Sequence, residues 1–154
     1  MWVADDGGRQ AAGFTGHTGD CVVRAIAIAT ETPYIEVYRA LHETALADAW
    51  LRQRLERRYG ARARAHASPR FGVHRRIYDR YLTGRDWRWT PTMKIGHGCT
   101  VHLRSDELPG GRLIVRVSRH MCAVIDCVIH DTHDPSRNGT RCVYGYWQPP
   151  TALR

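Results

Sequence analysis

Cys21 opens an almost wholly apolar stretch, CVVRAIAIAT, directly after Gly19-Asp20. In a helix starting there, the cysteine stands in the first turn. Backbone N–H groups at that end lack acceptors and the macrodipole is positive. Both favour negative charge on the sulfur, and the thiolate is the nucleophilic form of cysteine. Such a nucleophile needs a base, most often His, and the base needs a third group to hold its tautomer. His120 is the candidate base, because it opens an apolar, β-branched run after the polar pair Ser118-Arg119. Asp126-Cys127 sits where a two-residue hairpin turn belongs, although Gly would suit the second place better. That turn sets Ile125 opposite Val128, Val124 opposite Ile129, Ala123 opposite His130 and Cys122 opposite Asp131. The two-residue period of a strand then puts His120, Cys122 and Asp131 on one face, with His120 and Asp131 as diagonal neighbours. Asp131 ranks above Asp134 as the third member, since Asp134 lies beyond the paired stretch in the turn-like D-P-S-R.

The elements that must position these residues follow from periodicity. Residues 1–19 are Gly- and Thr-rich and form an irregular lead-in. A buried helix covers Cys21 to Thr30. Thr32-Pro33 starts a second, with Thr as N-cap and Pro at N1. Val37, Leu41, Ala45 and Leu51 form its apolar stripe, and it ends before Gly60. Residues 60–72 are expected as an exposed loop, followed by a short helix from Val73 to Leu82. Trp87 and Trp89 alternate with polar groups, as on a strand with one buried face. Strands are expected over residues 111–119, 120–126, 128–132 and 142–147. Helices first and an antiparallel sheet after make an α+β single domain over residues 1–154.

G-D-C-V-V-R-A-I at the head of a buried helix, with R-H-x-x-A-V-I-D-x-V-I-H-D-T far downstream, resembles the papain-like cysteine peptidase fold. More narrowly, it is similar to small C39-like peptidase proteins of phages and prophages. The resemblance covers residues 14–58 and about 93–147. It implies N-terminal helices with the Cys helix packed on a C-terminal antiparallel sheet. It also implies Cys21 as nucleophile, His120 as general base and Asp131 as orienting acid. The implied activity is a cysteine-dependent hydrolase (peptidase, isopeptidase or amidase) working through an acyl-enzyme, without metal or organic cofactor. Papain-like enzymes usually place a Gln shortly before the Cys to bind the oxyanion. Here Gln10, Gln53 and Gln148 are the only glutamines, and none has that spacing. The Cys21 N–H can supply one donor, with Thr18, His17 or Gln10 as candidates for the other. The alternative is a catalytically weak or inactive papain-like binding module, such as a phage-encoded modulator of a host protein or nucleic acid.

Blander chemistry competes for the same residues. A cysteine on a buried helix is often a small hydrophobe. Cys122, Cys127, His130 and His133 crowd together as zinc ligands would, but without C-x₂₋₄-C spacing and with His130 on the face opposite Cys122. Gly96 and Gly98 do not match a phosphate-binding loop.

Composition bounds the rest. The chain has 154 residues, 43% hydrophobic and 25% charged, as in globular domains. Its charge is +8, and 22 of its 23 basic residues are Arg, with Lys94 the exception. Nine of the arginines fall between Leu51 and Arg76, against one acid, Glu56. That span could contact phosphate, yet a solvated helix face plus loop is the stronger reading, so a protein or peptide substrate is favoured over nucleic acid. The five cysteines form no C-x-x-C pair, and the first ten residues carry no apolar signal segment. No apolar run approaches membrane-spanning length. These features lead to an expectation of reduced thiols and a cytoplasmic location, in a bacterium or a phage-infected host cell.

Overall fold

A computed structural model describes residues 1–16 and 19–150. The first helix, α1, spans Cys21–Thr30, as the apolar stretch predicts. Its N-cap is Asp20, whose side chain makes no capping bond and is drawn elsewhere. The second helix does not run on to Gly60. It divides at Asp48 into α2 (Tyr34–Ala47) and α3 (Ala49–Tyr59). Asp48 is buried, accepts from the Leu51 N–H at 2.9 Å and so caps α3. The guanidinium groups of Arg76 and Arg80 hold its other oxygen at 2.8 and 3.1 Å. A residue inside the span expected as one helix is therefore a helix start.

Residues 60–72 are not a plain exposed loop. They form a 3₁₀ turn at Gly60–Arg62, the short helix α4 (Ala63–His66) and a second 3₁₀ turn at Pro69–Phe71. Ala63, Ala67 and Pro69 are buried, which pins these turns against the body. The helix α5 (Arg75–Thr83) follows and buries Ile77, Tyr78, Tyr81 and Leu82.

The sheet comprises β1 (Trp2–Ala4), β2 (Arg88–Pro91), β3 (Arg112–Val117), β4 (His120–Ile125), β5 (Val128–Asp131) and β6 (Val143–Gln148). Their order is β1-β5-β4-β3-β6-β2. The architecture is α+β, but the sheet is mixed, because β1 runs parallel to β5 while the other pairs are antiparallel. So the lead-in contains a strand. Three residues are too few to show a period, and it is the open edge of β5 that recruits them. The expected hairpin register holds, with Ala123 opposite His130 and Ile125 opposite Val128. Asp126 and Cys127 take φ of 47° and 66°, the left-handed pair that a tight hairpin turn demands.

Side chains alternate across this sheet. Ile114, Met121, Ala123 and Trp147 meet the helices, among them Val23, Ile26, Val37 and Leu41. Leu113, Val115, Cys122, Val124, Ile129 and Val143 form a second core on the far face, closed by Leu103 and Leu108. Trp87 is buried, and Trp89 packs against Trp147 with ring centroids 5.6 Å apart. A Cβ at Gly145 would meet the Trp89 ring at 2.4 Å, so the strand crossing there requires glycine. The thiols are not all reduced: Cys99 and Cys142 form a disulfide across a separation of 43 residues. The bridge between His102 and Cys142 brings those segments together, a juxtaposition invisible in the spacing. Cys21, Cys122 and Cys127 are free. Among the described residues, no helix is long and apolar enough to cross a membrane.

Candidate active site

The strand β4 begins at His120 and the adjacent β5 ends at Asp131, so both side chains emerge at one end of the sheet. The helix α1 lies over this part of the sheet and presents Cys21 from its first turn. The structure thereby brings together the three residues that the sequence singles out. The His120 Nε2 is hydrogen-bonded to Asp131 Oδ2. A carboxylate only accepts, so Nε2 carries the proton and Nδ1 is the ring nitrogen that Asp131 does not hold. Asp134 is not part of this set; its Oδ1 accepts from the Ser136 N–H at 2.9 Å and stabilises the following turn.

Electrostatics follow from these contacts. Burial works against a charged His120 ring, but hydrogen bonds to Asp131 and Cys21, with the charges of both, outweigh it and raise the pKa to about 9. Burial likewise works against the Asp131 carboxylate, and the bond and charge of His120, followed by the charge of Arg24, hold it below the usual range. Cys122 is the neighbouring thiol. Full burial and the nearby carboxylate push its pKa strongly upward, which marks it as inert packing.

Arg24 is the residue whose role the sequence did not disclose. It is the single charge in CVVRAIAIAT, one turn beyond Cys21, and it is only 7% exposed. Its Nη1 donates to Asp131 Oδ1 at 2.6 Å and to Thr132 Oγ1 at 3.0 Å, while its Nε donates to Asp20 Oδ1 at 3.2 Å. The other oxygen of Asp20 receives the Tyr34 hydroxyl at 2.6 Å and pairs with Arg9 at 2.9 Å. Two buried carboxylates thus share one buried guanidinium. This explains why Asp20 does not cap its own helix. A charge inside an apolar helix is the signal that could have found Arg24, since a buried cation demands a buried partner.

The strand β1 supports the acid from behind. The Asp131 carbonyl accepts from the Asp5 N–H at 2.9 Å and from Trp2 Nε1 at 3.2 Å. Gly19 donates its N–H to the Arg70 carbonyl at 2.8 Å and packs against residues 70–72, where a Cβ would meet backbone at 3.3 Å. That contact fixes the entry to α1 and hence Cys21.

The cleft in front of Cys21 and His120 has a volume of about 780 Å³. The first intrahelical bond of α1 runs from the Arg24 N–H to the Asp20 carbonyl. The N–H of Cys21 therefore has no intrahelical acceptor. Tyr78 of α5 lines the same cleft, and burial pushes the pKa of its hydroxyl up. Gln10 does not line the cleft. His17 and Thr18, the other expected oxyanion donors, lie outside the described residues.

Cys122, Cys127 and His130, weighed as zinc ligands and disfavoured on spacing, have separate surroundings. His130 Nδ1 pairs with Asp5 at 3.1 Å, Cys127 faces the Leu108 carbonyl and Cys122 is enclosed in the far core. His120, Asp131 and His133 do place one ligand atom each within 4.8 Å of one another. Asp131 Oδ1 in that trio already holds the Arg24 guanidinium, a fixed positive charge that opposes a dication.

No family model, curated protein or solved structure matches the chain.

Proposed function

We propose that the protein is a cysteine-dependent hydrolase of papain-like type that cleaves a peptide, isopeptide or related amide bond. The observation that carries this reading is the His120 ring, bonded at Nε2 to a buried carboxylate and interacting with Cys21 at a helix start.

In the mechanism, Nδ1 of His120 takes the thiol proton and Cys21 Sγ attacks the carbonyl carbon. The Sγ–C bond forms, and the oxygen becomes an oxyanion held by the Cys21 N–H and the Tyr78 hydroxyl. Its collapse breaks the C–N bond, and His120 passes its proton to the leaving amine. Water, deprotonated by Nδ1, then attacks the thioester, releasing the acid and the free thiol. Asp131 keeps the ring oriented and balances its charge. Arg24 keeps Asp131 ionised and in place.

Alkylation by iodoacetamide at neutral pH, mapped by peptide mass, tests the nucleophile. Cys21 is expected to label at least about tenfold faster than Cys127, and His120→Ala is expected to slow it. Hydrolysis of a fluorogenic peptide library should disappear in Cys21→Ala and in His120→Ala. Tyr78→Phe should cut kcat by about 10²-fold with KM little changed, as for loss of one oxyanion donor. Preferential labelling of Cys127 overturns the nucleophile. Efficient ligand binding with no hydrolysis and no thioester adduct favours the binding-module reading instead.

A further inference from the structure

The catalytic cleft does not end at Cys21. Phe71, Gly72 and Val73 form one of its walls, and the same three residues line a second cavity of about 320 Å³ beside α3. Phe71, at the shared wall, is 62% exposed despite being fully apolar. The floor of the second groove is apolar, with Leu41, Ala45 and Leu51 beneath it. Its rim carries Arg54 and Arg58, with His66 stacked on Tyr59 at 3.7 Å. Among the described residues, no carboxylate lines it.

The charge around both hollows is one-sided. Among the described residues, Arg9, Arg24, Arg54, Arg58, Arg116 and Arg119 line them, against one lining acid, Asp20. Asp20 is already committed to Arg9, Arg24 and Tyr34. Arg54 and Arg58 lie over the rings of Trp50 and Tyr59 instead of pairing with acids. Among the described residues, Arg54, Arg58, Arg116 and Arg119 form no ion pair with a carboxylate. The charge of Arg54 also helps burial depress the pKa of His74 on the groove wall, as a local positive potential must. These four arginines line the two hollows.

We propose that this continuous surface receives an acidic peptide segment. Its scissile amide lies at Cys21, its chain crosses Phe71, and an apolar anchor residue sits in the groove beside α3 with flanking Asp or Glu on the arginine rim. The inference rests on the amide-hydrolase reading for the cleft and adds the substrate class. Peptide is favoured over nucleic acid because the groove has an enclosed apolar floor that fits a Leu-sized side chain, and because it leads to a nucleophile suited to carbonyl carbon. Charge complementarity of this kind sets specificity and association rate.

The test uses the full chain with Cys21→Ala and fluorescein-labelled peptides, read by anisotropy at low and physiological salt. A peptide with one Leu flanked by Asp and Glu is expected to bind at least about tenfold tighter than its Asn/Gln counterpart, with the difference shrinking as salt rises. The exposed double variant Arg54→Glu/Arg58→Glu should remove that preference. In the Cys21-containing chain the same two changes should leave the iodoacetamide rate at Cys21 unaltered. Equal affinity for acidic and neutral peptides overturns the inference, as does an unaffected double variant. Tighter binding of an oligo-dT strand than of the acidic peptide at physiological salt overturns it in favour of nucleic acid. Acidic peptides that bind but are never cleaved by the unmodified chain sink the hydrolase reading and leave the surface standing. Cleavage without acid preference does the reverse.

Discussion

Arg24 on α1 and the arginines of α3 carry the same guanidinium, and the fold treats them in opposite ways. Arg24 is withdrawn from water and holds two carboxylates, Asp20 next to Cys21 and Asp131 next to His120. Arg54 and Arg58 stay exposed and lie over aromatic rings. Desolvation explains the difference. A buried cation is tolerable only with close, hydrogen-bonded anions, and meeting that demand fixes the geometry of everything attached. A surface cation is screened and bears on little inside the protein, so it remains free for a ligand. The first kind of charge builds the site, and the second kind decorates its approach.

The sharpest way to break this contrast is to remove Arg24. Arg24→Met leaves Asp20 and Asp131 buried without their shared cation, and the expected loss is about 3–5 kcal/mol in urea unfolding. A loss under about 1 kcal/mol would show that the buried pair is incidental. Next in size is the disulfide, which holds the far side of the sheet by a covalent route. Closing 43 residues predicts roughly 2–4 kcal/mol lost in Cys99→Ser/Cys142→Ser. The denatured chain should titrate three thiols without reductant and all five after reduction. Five thiols without reductant would remove the disulfide from the account.

A smaller effect comes from His120. Its folded pKa is raised to about 9 from an ordinary 6.5. Its contribution is therefore complete below 6.5 and fades as pH rises through about 9. Stability measured against His120→Gln should narrow by on the order of 2 kcal/mol between pH 6 and pH 10, and kcat/KM should fall on the alkaline side with an apparent pKa near 9. Asp131 has the opposite sign: its depressed pKa gives a contribution present above 3.8 and lost as pH falls. The smallest effect is the control for the comparison. Arg54→Gln and Arg58→Gln should each change stability by less than about 0.5 kcal/mol, whereas an equal loss to that at Arg24 would erase the distinction between the two regions.

Much of the site was legible before any fold. The helix at Cys21–Thr30 and the hairpin register follow from apolar run length and the two-residue strand period, both local properties. That is why parity alone ranked Asp131 ahead of Asp134. Local signals failed where a distant partner made the choice. Asp48 breaks a helix because Arg76 and Arg80 arrive from α5. Trp2–Ala4 is a strand because β5 offers an edge. Cys99 meets Cys142 because β6 returns beside its loop.

The sequence by itself determined which residues have the chemistry: a thiol at a helix start, an imidazole at a strand start, a carboxylate two strands' turn away. It also determined an arginine-rich span. Only the tertiary structure decided that Arg24 joins Asp20 to Asp131 and that Tyr78 lines the same cleft as Cys21. It alone set the arginine rim against the same wall as the cleft. Periodicity records which face a side chain takes, while ion pairs and cavities arise between faces that the chain brings together only on folding.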